Sequence, residues 1–195
     1  MISLDIEASG TDPYKHSIVS IGALDFDHPE RQFYAECRIW DGAHIMDEAI
    51  AVCGFTREEI TDPSKKTEAQ ITQEFFDWLL QADDHTTAGQ NPSFDRDYLR
   101  LAAERAHINF PLSYRTVDLH SVCYLHMTKR GITPPIENKR SALGSTAIEQ
   151  YVGIPEEPKP HNALMGAKVS AESLSRLLYD KPLLPEFSNF AIPWL

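Results

Sequence analysis

An α/β domain, a five-stranded mixed sheet flanked by helices, is the fold class that this sequence of 195 residues predicts. Three observations carry it. Residues 2–39 hold three apolar, β-branched segments joined by connections short enough for an antiparallel meander. From Met46 the periodicity turns helical, and short strand-like runs alternate with helices, the order that produces parallel strands. The length is that of one domain, since domains run to roughly 100–200 residues.

The first strand runs from Ile2 through Leu4, Ile6 and Ala8, and Ser9-Gly10-Thr11-Asp12-Pro13 is a turn by composition. His16 to Phe26 forms the second strand and Gln32 to Ile39 the third, separated by Asp27-His28-Pro29-Glu30. Thr67-Glu68-Ala69-Gln70 is a capping box, after which Ile71, Phe75, Trp78, Leu79 and Ala82 recur at helical spacing. Thr86 to Gly89 reads as a short strand, and Asn91-Pro92-Ser93 opens a helix from about Phe94 to Ala106. Arg115 to Asp118 is the fifth strand, followed by a helix over Leu119–Thr128. Gly131, Pro134 and Pro135 make Lys129 to Lys139 a loop, and helices follow over Ser141–Tyr151 and Asn162–Tyr179. The domain is expected over residues 1–180. Residues 181–195, with three prolines among large apolar side chains counted from Asp180, are expected as an extended apolar tail, packed on the domain or on a partner.

Hydrophobic residues make up 42% of the chain and charged residues 24%, which places it among ordinary folded proteins. No apolar run approaches the roughly 20 residues that cross a bilayer, and a strand beginning at Ile2 leaves no room for a signal peptide, so no membrane partner and a cytoplasmic location are expected. Cys37, Cys53 and Cys123 are far apart without CxxC spacing and read as small core residues. A net charge of −11 argues against a broad basic surface for duplex nucleic acid, yet permits a short contact anchored through a cation.

The chemistry concentrates in a few positions. Asp5 and Glu7 alternate with Leu4 and Ile6, so both carboxylates leave one face of the first strand. Side by side they repel and lose hydration, and a bound Mg²⁺ or Mn²⁺ would relieve both effects; two solvated acids at an exposed strand end are the plain alternative. Asp95 falls in a first helical turn, where an acid also serves as a dipole partner, and His161 precedes the last long helix.

In this order and at these separations the arrangement resembles the DEDDh group of 3′–5′ exonucleases, within the ribonuclease H-like fold. Asp5-Ile6-Glu7-Ala8-Ser9-Gly10 looks like that family's first motif, Asp-x-Glu-x-Thr-Gly, and Asn91-x-x-x-Asp95 like its second. His161-x-Ala163 looks like the start of the third, His-x-Ala-x-x-Asp. The resemblance spans Met1 to about Leu178. It implies metal-dependent hydrolysis of phosphodiester bonds at single-stranded or frayed 3′ ends, DNA or RNA, with release of nucleotides. It makes Asp5, Glu7 and Asp95 ligands of Mg²⁺ or Mn²⁺, two ions being expected for the family, and His161 the general base. Ala8, Ser9, Gly10 and Asn91 would receive the terminal nucleotide. Two divalent ions about 4 Å apart can activate a water and stabilise a leaving oxygen, and a histidine is the side-chain type suited to taking the proton.

The third motif departs from the pattern at its last position, where Gly166 replaces the acid. Met165, Ala167 and Lys168 flank it and Glu172 lies further along, so the helix offers no shifted carboxylate. Loss of one ion and impaired activity are the expectation. Three explanations stay open: an engineered change, a natural loss leaving a nucleic-acid-binding or protein-interaction module, or a water in the ligand's place. Lys129, Arg130, Lys139 and Arg140 bracket the proline-containing loop and are candidates for phosphate contact, or for plain solvated charge. A homodimer built through the apolar tail is a further alternative.

Overall fold

The computed structural model describes residues 1–195. Its sheet has the order β3-β2-β1-β4-β5, formed by β1 (Ile2–Ala8), β2 (Ile18–Asp25), β3 (Gln32–Glu36), β4 (Thr87–Gly89) and β5 (Thr116–Asp118). The first three strands pair antiparallel, while β1–β4 and β4–β5 are parallel. This is the expected meander followed by crossover strands. β4 pairs only with Ile2 and Ser3 of β1, so the far half of β1 extends past its parallel neighbour.

Helices cover both faces. On one side α3 (Glu68–Leu79) and α4 (Pro92–Ala106) pack Phe75, Phe76, Leu79, Tyr98, Leu99 and Ala102 against Ile2, Leu4 and Ile6. Full burial of each large apolar side chain is worth about 1.5–3 kcal/mol. Thr67 closes the start of α3 through the expected capping box with Gln70. On the other side lie α5 (Leu119–Lys129), α6 (Ser145–Val152) and α7 (Ala163–Tyr179), with Leu119, Cys123, Ile148, Leu174 and Leu177 in a second core. No helix is long and apolar enough to cross a membrane.

One glycine sets where α7 meets the sheet. Gly22 pairs with Asp5 across the β1–β2 ladder, and a Cβ at Gly22 would fall on the backbone of Ala163 and Leu164. Without that side chain the first turn of α7 presses directly onto the middle of β2, beside Asp5. Ser3 fastens the next turn by donating its hydroxyl to the Ala167 carbonyl at 2.7 Å.

Several boundaries move. Two short helices, α1 (Asp47–Val52) and α2 (Arg57–Thr61), occupy a stretch with no helix expected, the second closed by a Thr56–Glu59 capping box. The segment expected as a loop over 129–139 contains one arm of a small hairpin, β6 (Ile136–Glu137) with β7 (Arg140–Ser141), turned by Asn138 and Lys139 at positive φ. Helix α6 therefore starts at Ser145, not Ser141. Residues 181–195 include a 3-10 turn (Pro185–Phe187) and lie on the second core, where Leu184 and Phe187 are buried. The fully buried Arg176 donates to the carbonyls of Phe187, Phe190 and Ala191, and Glu172 accepts from the backbone of Leu183 and Leu184. These bonds fasten the segment to α7.

Candidate active site

The alternation along β1 sends Leu4 and Ile6 into the first core and turns Asp5 and Glu7 to the α7 side, where both are half-buried. There they line one cleft with Gln90, Glu149, Glu157, His161, Gly166 and Ser173. Asp5, Glu7 and His161, expected as site residues from separate motifs, are brought together here. Asp95 is not in the cleft wall. It sits 3% exposed at the edge of β1, where its Oδ1 accepts the Ile6 N–H at 3.0 Å. That amide projects beyond the end of β4, so no ladder bond is available to it, and the first turn of α4 supplies the acceptor. Asn91 sets the entry into α4 with a left-handed backbone, φ 53°.

Electrostatically the site is a concentration of uncompensated acid. Burial pushes the Asp5 carboxyl well above its ordinary range, with Asp95, Glu7 and Glu157 adding to the effect. Burial, then Glu157 and Asp95, raise Glu7 to about 7. Burial also raises Asp95 to about 7, against the opposing Ile6 hydrogen bond. No cationic side chain contributes to any of the three. Such a set of hard oxygen donors suits a divalent cation. As the side chains stand, however, no three Asp, Glu, His or Cys groups converge closely enough to hold one. The reason is visible in two of them: Asp95 is engaged by the strand edge, and Asp5 is turned over Gly166.

His161 is held at the cleft rim by its backbone, which donates to the Val52 carbonyl at 3.0 Å, and its side chain is 34% exposed. Asn162 caps α7 by accepting from Leu164 and Met165. Glu157 lies behind the histidine, with Oε2 3.6 Å from His161 Nδ1 and Oε1 accepting the Asn162 N–H at 3.2 Å. The Glu157 N–H in turn donates to Glu149 Oε2 at 3.2 Å. Neither glutamate figures among the residues expected from sequence. The expectation that no carboxylate lies near position 166 holds for α7 alone, because the loop before His161 brings Glu157 into the same cleft. Its signal was an acid four residues before the motif histidine, in Glu156-Glu157-Pro158.

Gly166 lies one turn into α7, and a Cβ there would meet the Asp5 carboxylate. Close approach explains this glycine where helix propensity does not. Of the positions expected to receive a nucleotide, Ala8, Ser9 and Gly10 are buried. Ser9 donates its hydroxyl to the His44 carbonyl and accepts from Ser17 N–H, while a Cβ on Gly10 would run into the His16 ring. These three shape the strand end, and their side chains are committed within the fold. Asn91 is exposed and lines a second hollow with Gln90, His120, Glu137 and Ser141, next to the acidic cleft through the shared Gln90. The exposed Lys139 and Arg140 belong to the hairpin that rims this hollow. Lys129 and Arg130 stand apart from it at the end of α5, with Arg130 5.7 Å from the Trp194 ring.

Solved structures that share this architecture are nucleases. The nuclease domain of 3′hExo, a DEDDh family member bound to rAMP, matches with a TM-score of 0.70 at 19% identity, over 94% of this chain and 93% of that one. Cell-death related nuclease 4 (CRN-4) matches with 0.71 at 14% identity, over 98% of this chain and 65% of its own length. Exonuclease I of E. coli, in complex with a dT13 oligonucleotide, matches with 0.68 at 16% identity, over 90% of this chain. The chain spans only 40% of the length of that exonuclease. At these identities the likeness establishes the class of fold, the ribonuclease H-like mixed sheet of the DEDDh nucleases. Residues 1–178 match the profile of the Rv2179c-like 3′-5′ exoribonuclease domain, and the chain belongs to that family. No curated protein sequence matches it.

Proposed function

We propose that this chain is a metal-dependent 3′–5′ exonuclease that hydrolyses phosphodiester bonds at single-stranded or frayed 3′ ends and releases nucleotides. The observation that carries the reading is the convergence of Asp5, Glu7 and His161 on one cleft whose buried acid no cation offsets. Asp5 and Glu7 would hold Mg²⁺ or Mn²⁺, with Asp95 fixing the strand edge from behind and adding negative charge. When bound, the cation supplies Lewis-acid stabilisation of the charge that develops on the phosphate. His161, half-buried at the rim, takes the proton of the attacking water. RNA is the substrate class favoured by the family description, and a net charge of −11 suits a short contact with a single-stranded end better than a duplex.

Gly166 favours a second reading, a catalytically silent nucleic-acid-binding or protein-interaction module on the same fold. Incubating fluorescent single-stranded RNA and DNA with the chain and with Asp5→Asn, in Mg²⁺, Mn²⁺ or EDTA, separates the two. Metal-dependent shortening that Asp5→Asn abolishes is expected. Binding of either strand without shortening in both metals would favour the silent module and overturn the exonuclease reading.

A further inference from the structure

The acidic cleft opens onto further surface. It shares Gln90 with the hollow beside the hairpin, and that hollow shares His120 with a shallow outer face of α5 formed with Ser121, Tyr124, Leu125 and Thr128. We propose that this face carries the single strand upstream of the 3′ end, with Tyr124 as a platform on which a base of that strand stacks. The inference deepens the exonuclease reading above and rests on it, and it names a residue outside the three motifs.

The first support is continuity. Leu119, His120 and Tyr124 follow one another along α5 and line in turn the cleft, the hollow and the outer face. His120 and Tyr124, four residues apart, are separated by about 6 Å along the helix axis. Two stacked base steps of about 3.4 Å each cover that distance.

Charge selects the occupant. In a chain whose acids outnumber its bases by 11, residues 119–148 carry Lys129, Arg130, Lys139 and Arg140 against a single acid, Glu137. Asp118, at the start of the helix, is engaged within the fold, accepting from the Asn91 and Ser121 N–H groups. A polyanion leaving the acidic cleft therefore meets its most favourable surface along α5 and the hairpin.

The side chains on this path are also free to act. Cys123 and Met127 take the buried face of α5, while the Tyr124 ring is 46% exposed and belongs to neither core. The His120 ring lies 6.2 Å from it at 38°, and His120 Nε2 is fixed 2.8 Å from Ser141 Oγ, so two rings stand side by side before any strand arrives. Aromatic platforms of this kind accept any base, because every base has a π-face. At the mouth between cleft and hollow, Gln90 Oε1 is buried without a hydrogen-bond partner. Buried polar atoms left idle are rare, and an amino or hydroxyl donor of a nucleotide crossing there would engage it.

Calorimetry with unlabelled oligoadenylates of two, four and six nucleotides tests the path, with Ca²⁺ in place of Mg²⁺ and gels confirming that the strands stay intact. The chain is compared with Tyr124→Ala and Tyr124→Trp, each checked for folding by circular dichroism and for oligomeric state by light scattering. The chain is expected to bind six nucleotides more tightly than two. Tyr124→Ala is expected to lose about tenfold in affinity for the two longer strands with the dinucleotide unchanged, while Tyr124→Trp keeps the gain. A folded Tyr124→Ala that binds every length as the chain does overturns the proposal, and so does a loss equal at all lengths, which would place the ring beside the terminal nucleotide. Self-association of the chain that Tyr124→Ala abolishes, with strand binding unchanged, overturns it as well and assigns the face to a second copy. If the chain binds no strand of any length, the exonuclease reading itself falls, and this inference with it.

Discussion

The Asp5 carboxylate lies over the backbone of Gly166, in the volume that a side chain at 166 would need. Gly166→Ala should be stabilising by helix propensity, by about 1 kcal/mol. Here it would push the Asp5 carboxylate back toward Glu7 and Glu157, so a net loss of about 1 kcal/mol in EDTA is expected, within the usual range for overpacking. Saturating Mn²⁺ is expected to remove the deficit. Thermal unfolding of both proteins, with and without Mn²⁺, checks this; a variant stabilised in EDTA would contradict it.

Stability should depend on pH through the same acids. Glu7 and Asp95 rise to about 7 in the folded chain from ordinary values of 4.5 and 3.8. The folded state therefore keeps protons that the unfolded state has released, so this contribution to stability is complete at the acid end and is lost as pH rises through about 7. In EDTA the melting temperature is expected to fall between about pH 4 and 7 and to level off above, while the stabilisation by Mn²⁺, which displaces those protons, grows over the same window. Glu7→Gln/Asp95→Asn should flatten both trends. Scanning fluorimetry across this range would show it, and a metal effect independent of pH would count against the account.

The tail depends on one buried ion pair. Arg176 Nε donates to Glu172 Oε1 at 2.7 Å, both side chains having no exposure, and their remaining groups hold the backbone of residues 183–191. Removing one partner leaves a buried charge unmatched, a loss of about 3–5 kcal/mol. Guanidinium unfolding of Arg176→Met is expected to register that loss, together with faster proteolysis after Asp180. Unchanged stability would mean the segment is not held by this pair.

Much of this was readable in the chain, for physical reasons that differ by element. The period-two pattern of β1 and the capping box of α3 are local, and both appear where expected. Asp5, Glu7 and His161 were legible because their motifs sit at element ends, which topology brings to one place. The β6–β7 hairpin was hidden by prolines that read as loop, and it turns on non-glycine residues at positive φ. Glu157 was missed because a loop acid carries no periodicity, and its place in the cleft follows from the chain path between α6 and α7. The role of Gly22 is likewise tertiary: only the crossing of α7 reveals why that strand position lacks a side chain.

The hairpin supplies a prediction for substrate contact. Lys139 and Arg140 are exposed in the hairpin whose Glu137 and Ser141 line the hollow that shares Gln90 with the acidic cleft. Reversing both to Glu is expected to weaken single-stranded oligonucleotide binding and to lower the slope of log affinity against log salt by about 0.7 per lost phosphate contact. Fluorescence anisotropy at several salt concentrations measures it; an unchanged slope would return these residues to ordinary solvated charge.

Directional hydrolysis from the 3′ end is read by end-labelling. Single-stranded RNA and DNA oligonucleotides carrying a 5′ label or a 3′ label are digested in parallel with Mn²⁺ or Mg²⁺. The expected result is a ladder of progressively shorter 5′-labelled strands, with the 3′ label released at once as a mononucleotide. A 3′ label retained on shortening strands, or no shortening of either RNA or DNA with saturating metal, would contradict the account.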